Sequence, residues 1–281
     1  MLVAMVRRVL AAAALTLVGL TGCHGDPTES AIRPYVAIGD SFVSGPGIPR
    51  QDPAEPTCAR SDQNYPQLVA AELNRVSLVD VSCGGSTTDI VKDGRTGVAP
   101  LDPQLDALTR RTTLVTVGIG ANDENLFLGM FVNCLMSASA SDAGCREMAD
   151  QAEAIYPRTR ERVEATLRAV KERSPEARVL LVGYLRIVPE KGDCADLPVS
   201  EANRARAMTV EEELARLQKE AARALGVSFV DVRGSARGHD ACAGDDAWVN
   251  GMRGGLGDGA VLHPNRAGMR AVADLVLEAV G

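Results

Sequence analysis

Along the chain, short continuous apolar runs alternate with segments whose apolar residues recur at helical spacing. Five short apolar runs have the length and composition of buried strands, and segments with helical periodicity separate them. Because strands that alternate with helices pair in parallel, the pattern predicts an α/β fold with a five-stranded parallel sheet. The predicted strands comprise residues 35–38, 76–81, 113–117, 178–182 and 227–232. The clearest predicted helices comprise residues 65–74, 145–173, 200–225 and 265–280.

The amino-terminal segment has the pattern of an export signal. Arg7 and Arg8 precede an apolar run at residues 9–20, and no stop-transfer pattern follows it. As a helix this run spans about 18 Å, short of the roughly 30 Å hydrocarbon core of a membrane. We therefore expect a signal peptide at residues 1–22, a tether at residues 23–33 and one domain at residues 34–281.

Residues 20–23, with the sequence Leu-Thr-Gly-Cys, resemble a bacterial lipobox. In that motif the cysteine is lipidated on its sulfur and becomes the new amino terminus. The resemblance implies an exported protein that is held at the outer face of the cell membrane by a lipid on Cys23. Ordinary cleavage with secretion, or a free thiol at Cys23, are the alternative interpretations.

Composition and charge exclude several classes of protein. The chain is 46% hydrophobic and 24% charged, which excludes intrinsic disorder and a polytopic membrane protein. Removal of residues 1–22 takes away two of the 30 basic residues and none of the 37 acidic ones, so the net charge changes from −7 to −9. An acidic balance opposes nucleic-acid binding, and we expect a monomer without polyanionic partners.

The chain has seven cysteines, an odd number for an exported protein. If Cys23 carries a lipid, six remain, which permits three disulfides without fixing their pairing. The six are not spaced like the ligand pairs of zinc sites, so we expect no metal and no cofactor. They are Cys58, Cys83, Cys134, Cys145, Cys194 and Cys242.

Residues able to carry chemistry follow the first three predicted strands. Gly39-Asp40-Ser41 ends the first, residues 83–88 follow the second and residues 118–123 follow the third. Because the carboxyl ends of parallel strands gather where ligands bind, we expect these segments to lie together. Ser41 is either a nucleophile or a helix-capping residue. The glycines and Asn122 either stabilise an oxyanion or form ordinary turns and caps.

Known motifs of other serine and nucleotide-binding enzymes are absent. The chain has no Gly-x-Ser-x-Gly elbow, and residues 118–123 lack the third glycine of a dinucleotide fingerprint. Of the three histidines, His24 is interpreted as a tether residue and His239 as a loop residue. His263 precedes Pro264 at the start of the last helix, so its imidazole is expected to face the ligand edge.

Together these segments resemble the SGNH family, also called GDSL hydrolases, and in particular its secreted actinobacterial esterase and lipase branch. The resemblance spans residues 34–280 and implies a three-layer, flavodoxin-like fold. It implies a serine ester hydrolase that cleaves carboxylic esters of lipids or sugars through an acyl-enzyme, with Ser41 as nucleophile and His263 as base. It also implies an oxyanion hole formed by the N–H groups of Ser41 and Gly85 and the side chain of Asn122. The matching residues are Gly39-Asp40-Ser41, Gly85, residues 120–123, His263-Pro264 and Gly268.

The same resemblance implies a pairing for the six cysteines. Sequential bridges are expected, each beside a long loop near the site. Crosslinks of this kind stabilise a fold by about 2 to 4 kcal/mol. The implied pairs are Cys58–Cys83, Cys134–Cys145 and Cys194–Cys242.

The last block departs from the family pattern. The family has an aspartate three residues before the histidine, and this chain has Ala260 there. A catalytic imidazole needs an acceptor for its second nitrogen. Members of this branch can use a main-chain carbonyl at that position, so the resemblance implies that the Ala260 carbonyl orients His263 in a Ser-His dyad. Asp258, on a glycine-rich loop, is the alternative acceptor. Phe42 replaces the leucine of the nominal motif, which is unremarkable in this branch.

Two other functions use the same residues. An acyltransferase would deliver the acyl group to a sugar or lipid alcohol instead of water. A non-catalytic envelope lipoprotein would keep the fold only to bind a ligand. The expected partners are an ester substrate and, through Cys23, a membrane.

Overall fold

The computed structural model describes residues 33–95, 100–136, 140–254 and 257–281. The predictions for the signal peptide, Cys23 and His24 lie outside the described residues. Arg33, which we assigned to the tether, is the first residue of a strand and lies opposite Val76 of the next one.

Five parallel strands form the sheet at the centre of the fold. They are β1 (Arg33–Gly39), β2 (Val76–Asp80), β3 (Leu114–Gly118), β4 (Arg178–Val182) and β5 (Ser228–Val230). Their spatial order is β2-β1-β3-β4-β5, which is the flavodoxin-like order of a doubly wound sheet. In this topology the direction in which successive strands are added to the sheet reverses at β1 and β3. A crevice therefore opens at the carboxyl ends of these two strands.

Eight α-helices lie between the strands or after the last one within the described ranges. They are α1 (Ser41–Ser44), α2 (Tyr65–Glu72), α3 (Thr88–Asp93), α4 (Leu126–Met130), α5 (Asp142–Arg173), α6 (Glu201–Leu225), α7 (Val232–Ser235) and α8 (Arg266–Val280). The sequence predicted the four longest. Ser200 and Asn265, predicted as first helical residues, are instead the caps that accept backbone N–H bonds at the starts of α6 and α8.

Buried apolar side chains cover both faces of the sheet. On one face, Val36 and Ile38 of β1 pack in a cluster with Val163 of α5 and Ala221 of α6. On the other face, a second cluster contains Tyr35 and residues of α2 and α8. The three-layer α/β/α architecture is therefore confirmed. No helix in the described ranges is both long enough and apolar enough to cross a bilayer.

Candidate active site

Ser41 and His263 meet at the carboxyl edge of the sheet although 222 positions separate them. Ser41 is the first residue of α1, and Asp40 caps that helix by accepting the N–H of Phe42 at 2.9 Å. His263 lies just before Asn265, the cap of α8. Its Nε2 is 2.9 Å from the Ser41 Oγ. Because Asp40 caps the helix, the hydroxyl of Ser41 is not needed as a cap and is free to form a hydrogen bond with the imidazole.

The other imidazole nitrogen contacts a carbonyl that the sequence analysis did not select. His263 Nδ1 lies 2.7 Å from the carbonyl oxygen of Val261. The carbonyl of Ala260, our leading candidate, instead accepts the backbone N–H of His263 at 3.3 Å and the side chain of Asn250 at 3.2 Å. The expectation for Ala260 is therefore wrong by one residue.

Backbone conformation explains the shift to Val261. Leu262 is buried and has a φ of 53°, in the left-handed region of backbone conformation that residues other than glycine rarely adopt. Such a residue closes a tight turn from Ala260 to His263, and within this turn the Val261 carbonyl reaches the ring. Asn250 fixes the turn by donating to two of its loop carbonyls.

Asp258 does not contact the imidazole either. Its carboxylate accepts the backbone N–H and the guanidinium Nε of Arg266, both at 3.0 Å. Arg266 begins α8, so Asp258 stabilises the start of that helix. The alternative expectation, that Asp258 orients His263, is also wrong.

The imidazole lies between two phenylalanine rings. Its centroid is 5.2 Å from that of Phe42 and 5.6 Å from that of Phe127. Burial against these rings lowers the pKa of His263 below its ordinary value, because the charged form loses hydration. The imidazole is therefore mainly neutral at pH 7 and able to accept a proton.

The expected oxyanion donors come from the three loops after β1, β2 and β3. Among the described residues, the N–H groups of Ser41 and Gly85 donate to no protein acceptor. Gly85 is exposed and has a φ of 76°, which explains why a glycine is needed there. The Asn122 amide donates one hydrogen to the carbonyl of Ser86 at 3.0 Å, which leaves its second N–H for a ligand.

A glutamine outside all four motifs ties two of these loops together. Gln104 is fully buried, and its Oε1 accepts the N–H of Gly39 at 2.8 Å. Its Nε2 donates to the Gly39 carbonyl at 3.0 Å and to the Ser86 hydroxyl at 2.9 Å. The segment before Ser41 is thereby linked to the turn that holds Gly85. Sequence inspection missed Gln104 because a single loop glutamine has no motif or period.

Two buried carboxylates brace the same loops. Asp40 is hydrogen-bonded to the Tyr184 hydroxyl, which also accepts the N–H of Ala121 at 3.1 Å. Burial raises the pKa of Asp40 to about 7. Asp123 accepts the N–H and the hydroxyl of Thr88 at 2.9 and 2.7 Å, and burial raises its pKa too. Tyr184 was also missed, because no local pattern links it to Asp40.

The three disulfides have the expected pairing. They are Cys58–Cys83, Cys134–Cys145 and Cys194–Cys242. The first lies directly beside the Gly85 turn, because the Cys58 carbonyl accepts the N–H of Gly84 at 2.9 Å. This bridge therefore restrains a segment that carries one of the expected oxyanion donors.

His239 does not join Ser41 and His263. Its ring stacks on Trp248 with centroids 4.0 Å apart, and its Nδ1 lies 2.7 Å from the Asp246 carbonyl. Within the described part of the chain, no group of three or more His, Cys, Asp or Glu side chains is arranged to hold a metal ion.

Comparison with known proteins finds related sequences and the same architecture among bacterial lipases and a phospholipase. The model of the GDSL-like lipase/acylhydrolase family matches residues 37–271. Lipase 2 of Streptomyces coelicolor is 33% identical over 97% of this chain and 95% of its own. The crystal structure of phospholipase A1 from Streptomyces albidoflavus aligns with a TM-score of 0.76 at 27% identity, covering 88% of this chain and 99% of that one. An extracellular lipase from Streptomyces rimosus aligns equally well, with a TM-score of 0.76, 26% identity and the same coverage.

Proposed function

The chain belongs to the GDSL-like lipase/acylhydrolase family and is a carboxylic ester hydrolase, and we propose that it acts through an acyl-enzyme formed on Ser41. The observation that carries the proposal is the geometry at the imidazole. Nε2 lies 2.9 Å from the Ser41 hydroxyl, while Nδ1 lies 2.7 Å from the Val261 carbonyl. If the carbonyl fixes the proton on Nδ1, Nε2 is the free acceptor that a general base requires.

In the first half of the reaction, Ser41 Oγ forms a bond to the ester carbonyl carbon and His263 Nε2 takes the hydroxyl proton. The electron pair of the carbonyl double bond moves to oxygen, where the N–H groups of Ser41 and Gly85 and the amide of Asn122 stabilise it. Each such donor contributes about 2.7 to 4 kcal/mol to the transition state. The bond to the alcohol oxygen then breaks, and the imidazolium protonates that oxygen.

In the second half, water attacks the acyl carbon and His263 removes its proton. The bond to Ser41 Oγ breaks as the imidazolium returns a proton to that oxygen, which releases the carboxylic acid and restores the enzyme. Hydrolysis and acyl transfer differ only in the acceptor that enters at this step. The lipase names of the relatives favour water, and esters of lipids or sugars are the proposed substrates.

Substitution of Ser41 by alanine tests the nucleophile. Ser41→Ala should abolish p-nitrophenyl acetate turnover and labelling by a fluorophosphonate probe. Ser44→Ala is the matched control, because Ser44 lies in the same helical turn and its buried Oγ has no hydrogen-bond partner among the described residues. Undiminished labelling of Ser41→Ala would refute the assignment. The same assay with an added alcohol measures any acyl transfer.

We also propose that the protein is exported and anchored through a lipid on Cys23. Support comes from the Leu-Thr-Gly-Cys sequence and from the similarity to an extracellular lipase. Incorporation of labelled palmitate into the wild type, and its loss in Cys23→Ser with release of the enzyme into the medium, would agree with the anchor. A wild-type protein that takes up no label and is found in the medium would contradict it.

A further inference from the structure

A narrow apolar pocket lies next to the catalytic pair at the carboxyl edge of the sheet. Its near end includes Ala121, which adjoins Asn122, and Phe127, which packs on His263. Its far end includes Arg233 of α7, which follows β5. Because Ser41 follows β1 and the strand order places β3 and β4 between β1 and β5, the pocket leads away from the nucleophile. Its apolar walls include Leu126, Met130, Leu185, Val210 and Leu214.

The far end of this pocket carries a buried ion pair. Glu211 and Arg233 line it, and only 8% and 10% of their side chains are exposed. Glu211 Oε1 accepts the N–H groups of Ile187 and Val188 at 3.2 and 3.1 Å. Its Oε2 lies 3.5 Å from the Arg233 guanidinium. Within the described residues, neither this oxygen nor Arg233 Nε has a hydrogen-bond partner.

Contact of this ion pair with hydrocarbon costs more free energy than contact with water. A buried donor or acceptor that loses its last polar neighbour bears the full cost of desolvation. Burial already raises the pKa of Glu211 to about 7 and lowers that of Arg233, so both groups are poorly hydrated in this pocket. A methyl group pressed against Glu211 and Arg233 would remove the hydration that remains.

The size of the pocket limits what can approach the pair. Its free volume is about 30 Å³, and that corresponds to roughly two water molecules. An acyl group of a few carbons can lie along the apolar walls and stop before Glu211. A longer chain can enter this pocket only by displacing solvent from the charged end.

We propose that Glu211 and Arg233 close the acyl pocket and restrict the enzyme to esters of short acyl groups, of about two to four carbons. The inference rests on the proposed acyl-enzyme at Ser41. Contact of an alkyl terminus with the unpartnered atoms lowers kcat/KM by about tenfold or more. Short acyl specificity is thus a consequence of charge at the end of an otherwise apolar site.

A chain-length series tests the inference on the wild-type enzyme. Initial rates with p-nitrophenyl esters of two, four, six, eight, twelve and sixteen carbons, at one fixed detergent concentration, give kcat/KM for each. We expect a maximum at two to four carbons and a fall of about tenfold or more by eight carbons. Equal or higher kcat/KM at eight to sixteen carbons would overturn the proposal. No turnover of any ester and no fluorophosphonate labelling would instead contradict the proposed function.

The double variant Glu211→Gln/Arg233→Met tests which residues set the limit. Glutamine keeps the acceptor for Ile187 and Val188, and methionine keeps the length of the arginine stem. The matched control is Glu212→Gln, because Glu212 also lies 3.5 Å from Arg233 but does not line the pocket.

We expect the double variant to hydrolyse the eight-carbon ester about tenfold faster relative to the two-carbon ester, and the control to keep the wild-type ratio. Turnover of the two-carbon ester shows that each variant is folded. An unchanged ratio in the double variant, or an equal change in Glu212→Gln, would overturn the role of the pair. If the double variant does not fold, the wild-type series still decides the proposal.

Discussion

Replacement of Gln104 by glutamate would test how the oxyanion loops are held. The amide accepts one backbone bond from Gly39 and donates to the Gly39 carbonyl and the Ser86 hydroxyl. An ionised carboxylate keeps the acceptor for the Gly39 N–H, but its second oxygen has no proton to donate to the Gly39 carbonyl or the Ser86 hydroxyl. The Gly39 carbonyl retains the N–H of Cys83 at 3.0 Å, so the carboxylate oxygen that faces it is the group left without a partner. A buried polar group without its partner costs about 1 to 3 kcal/mol, and a charged one costs more, so we expect the free energy of unfolding of Gln104→Glu to fall by at least that amount.

The expected effect of Gln104→Glu on kcat follows from the turn that holds Gly85 and Ser86. Ser86 adjoins Gly85 and accepts from the Asn122 amide, so its movement displaces two expected oxyanion donors. Complete loss of one donor lowers kcat by about 10² to 10³. Displacement without loss should lower kcat of Gln104→Glu by about 10- to 100-fold and leave KM within about threefold.

The pH dependence of the variant separates positioning from general damage. Below its pKa the new carboxyl carries one O–H and restores one of the two hydrogen bonds that the amide donates, so kcat of Gln104→Glu should recover in part as the pH falls. The wild type should lose activity in the same direction, because His263 becomes protonated. Gln151→Glu, at an exposed position of α5, is the control for the added charge and should match the wild type. A folded Gln104→Glu enzyme with wild-type kcat and pH profile would refute a positioning role.

Three further predictions follow from the site. Asp258→Ala should keep kcat within about threefold, because its carboxylate contacts Arg266 and not the imidazole; a loss of several orders of magnitude would restore Asp258 as the orienting group. Burial lowers the pKa of His263, so kcat/KM should rise with pH to a plateau with a midpoint below about 6.5, and a midpoint above about 7 in a pH-rate profile would contradict the neutral base. Replacing Cys58 and Cys83 by alanine opens a loop of 25 residues, which should lower the urea-derived stability by about 3 kcal/mol; unchanged stability would count against that estimate.

The fold was predictable from sequence because strands and long helices have periods that an apolar pattern can display. The sheet and the four longest helices follow this rule. The start of α5 does not, because Ser141 caps it and its first helical residue, Asp142, comes three residues before the predicted start. The turns α1 and α7 have four residues each, too few for a helical period to emerge, and neither is among the predicted helices.

The candidate site was predictable where chemistry requires a residue type at a strand end. Ser41 satisfies that condition, whereas His263 was selected by its place just before the last helix, and the two lie within hydrogen-bond distance. The acceptor for Nδ1 was not predictable in the same way, because every residue offers a carbonyl. Only the φ of 53° at Leu262, a backbone property that its residue type disfavours, selects Val261 over Ala260.

A carbonyl in place of a carboxylate changes where the catalytic stabilisation must come from. A carboxylate beside Nδ1 both orients the imidazole and stabilises the imidazolium that forms during attack. The Val261 carbonyl can orient the ring but carries only a dipole, and the rings of Phe42 and Phe127 make the cation still less favourable. In the proposed mechanism, the oxyanion donors must therefore supply more of the stabilisation. Gln104 and the bridge at Cys83 both fix that side, so changes to these two should affect kcat more than any substitution of Asp258.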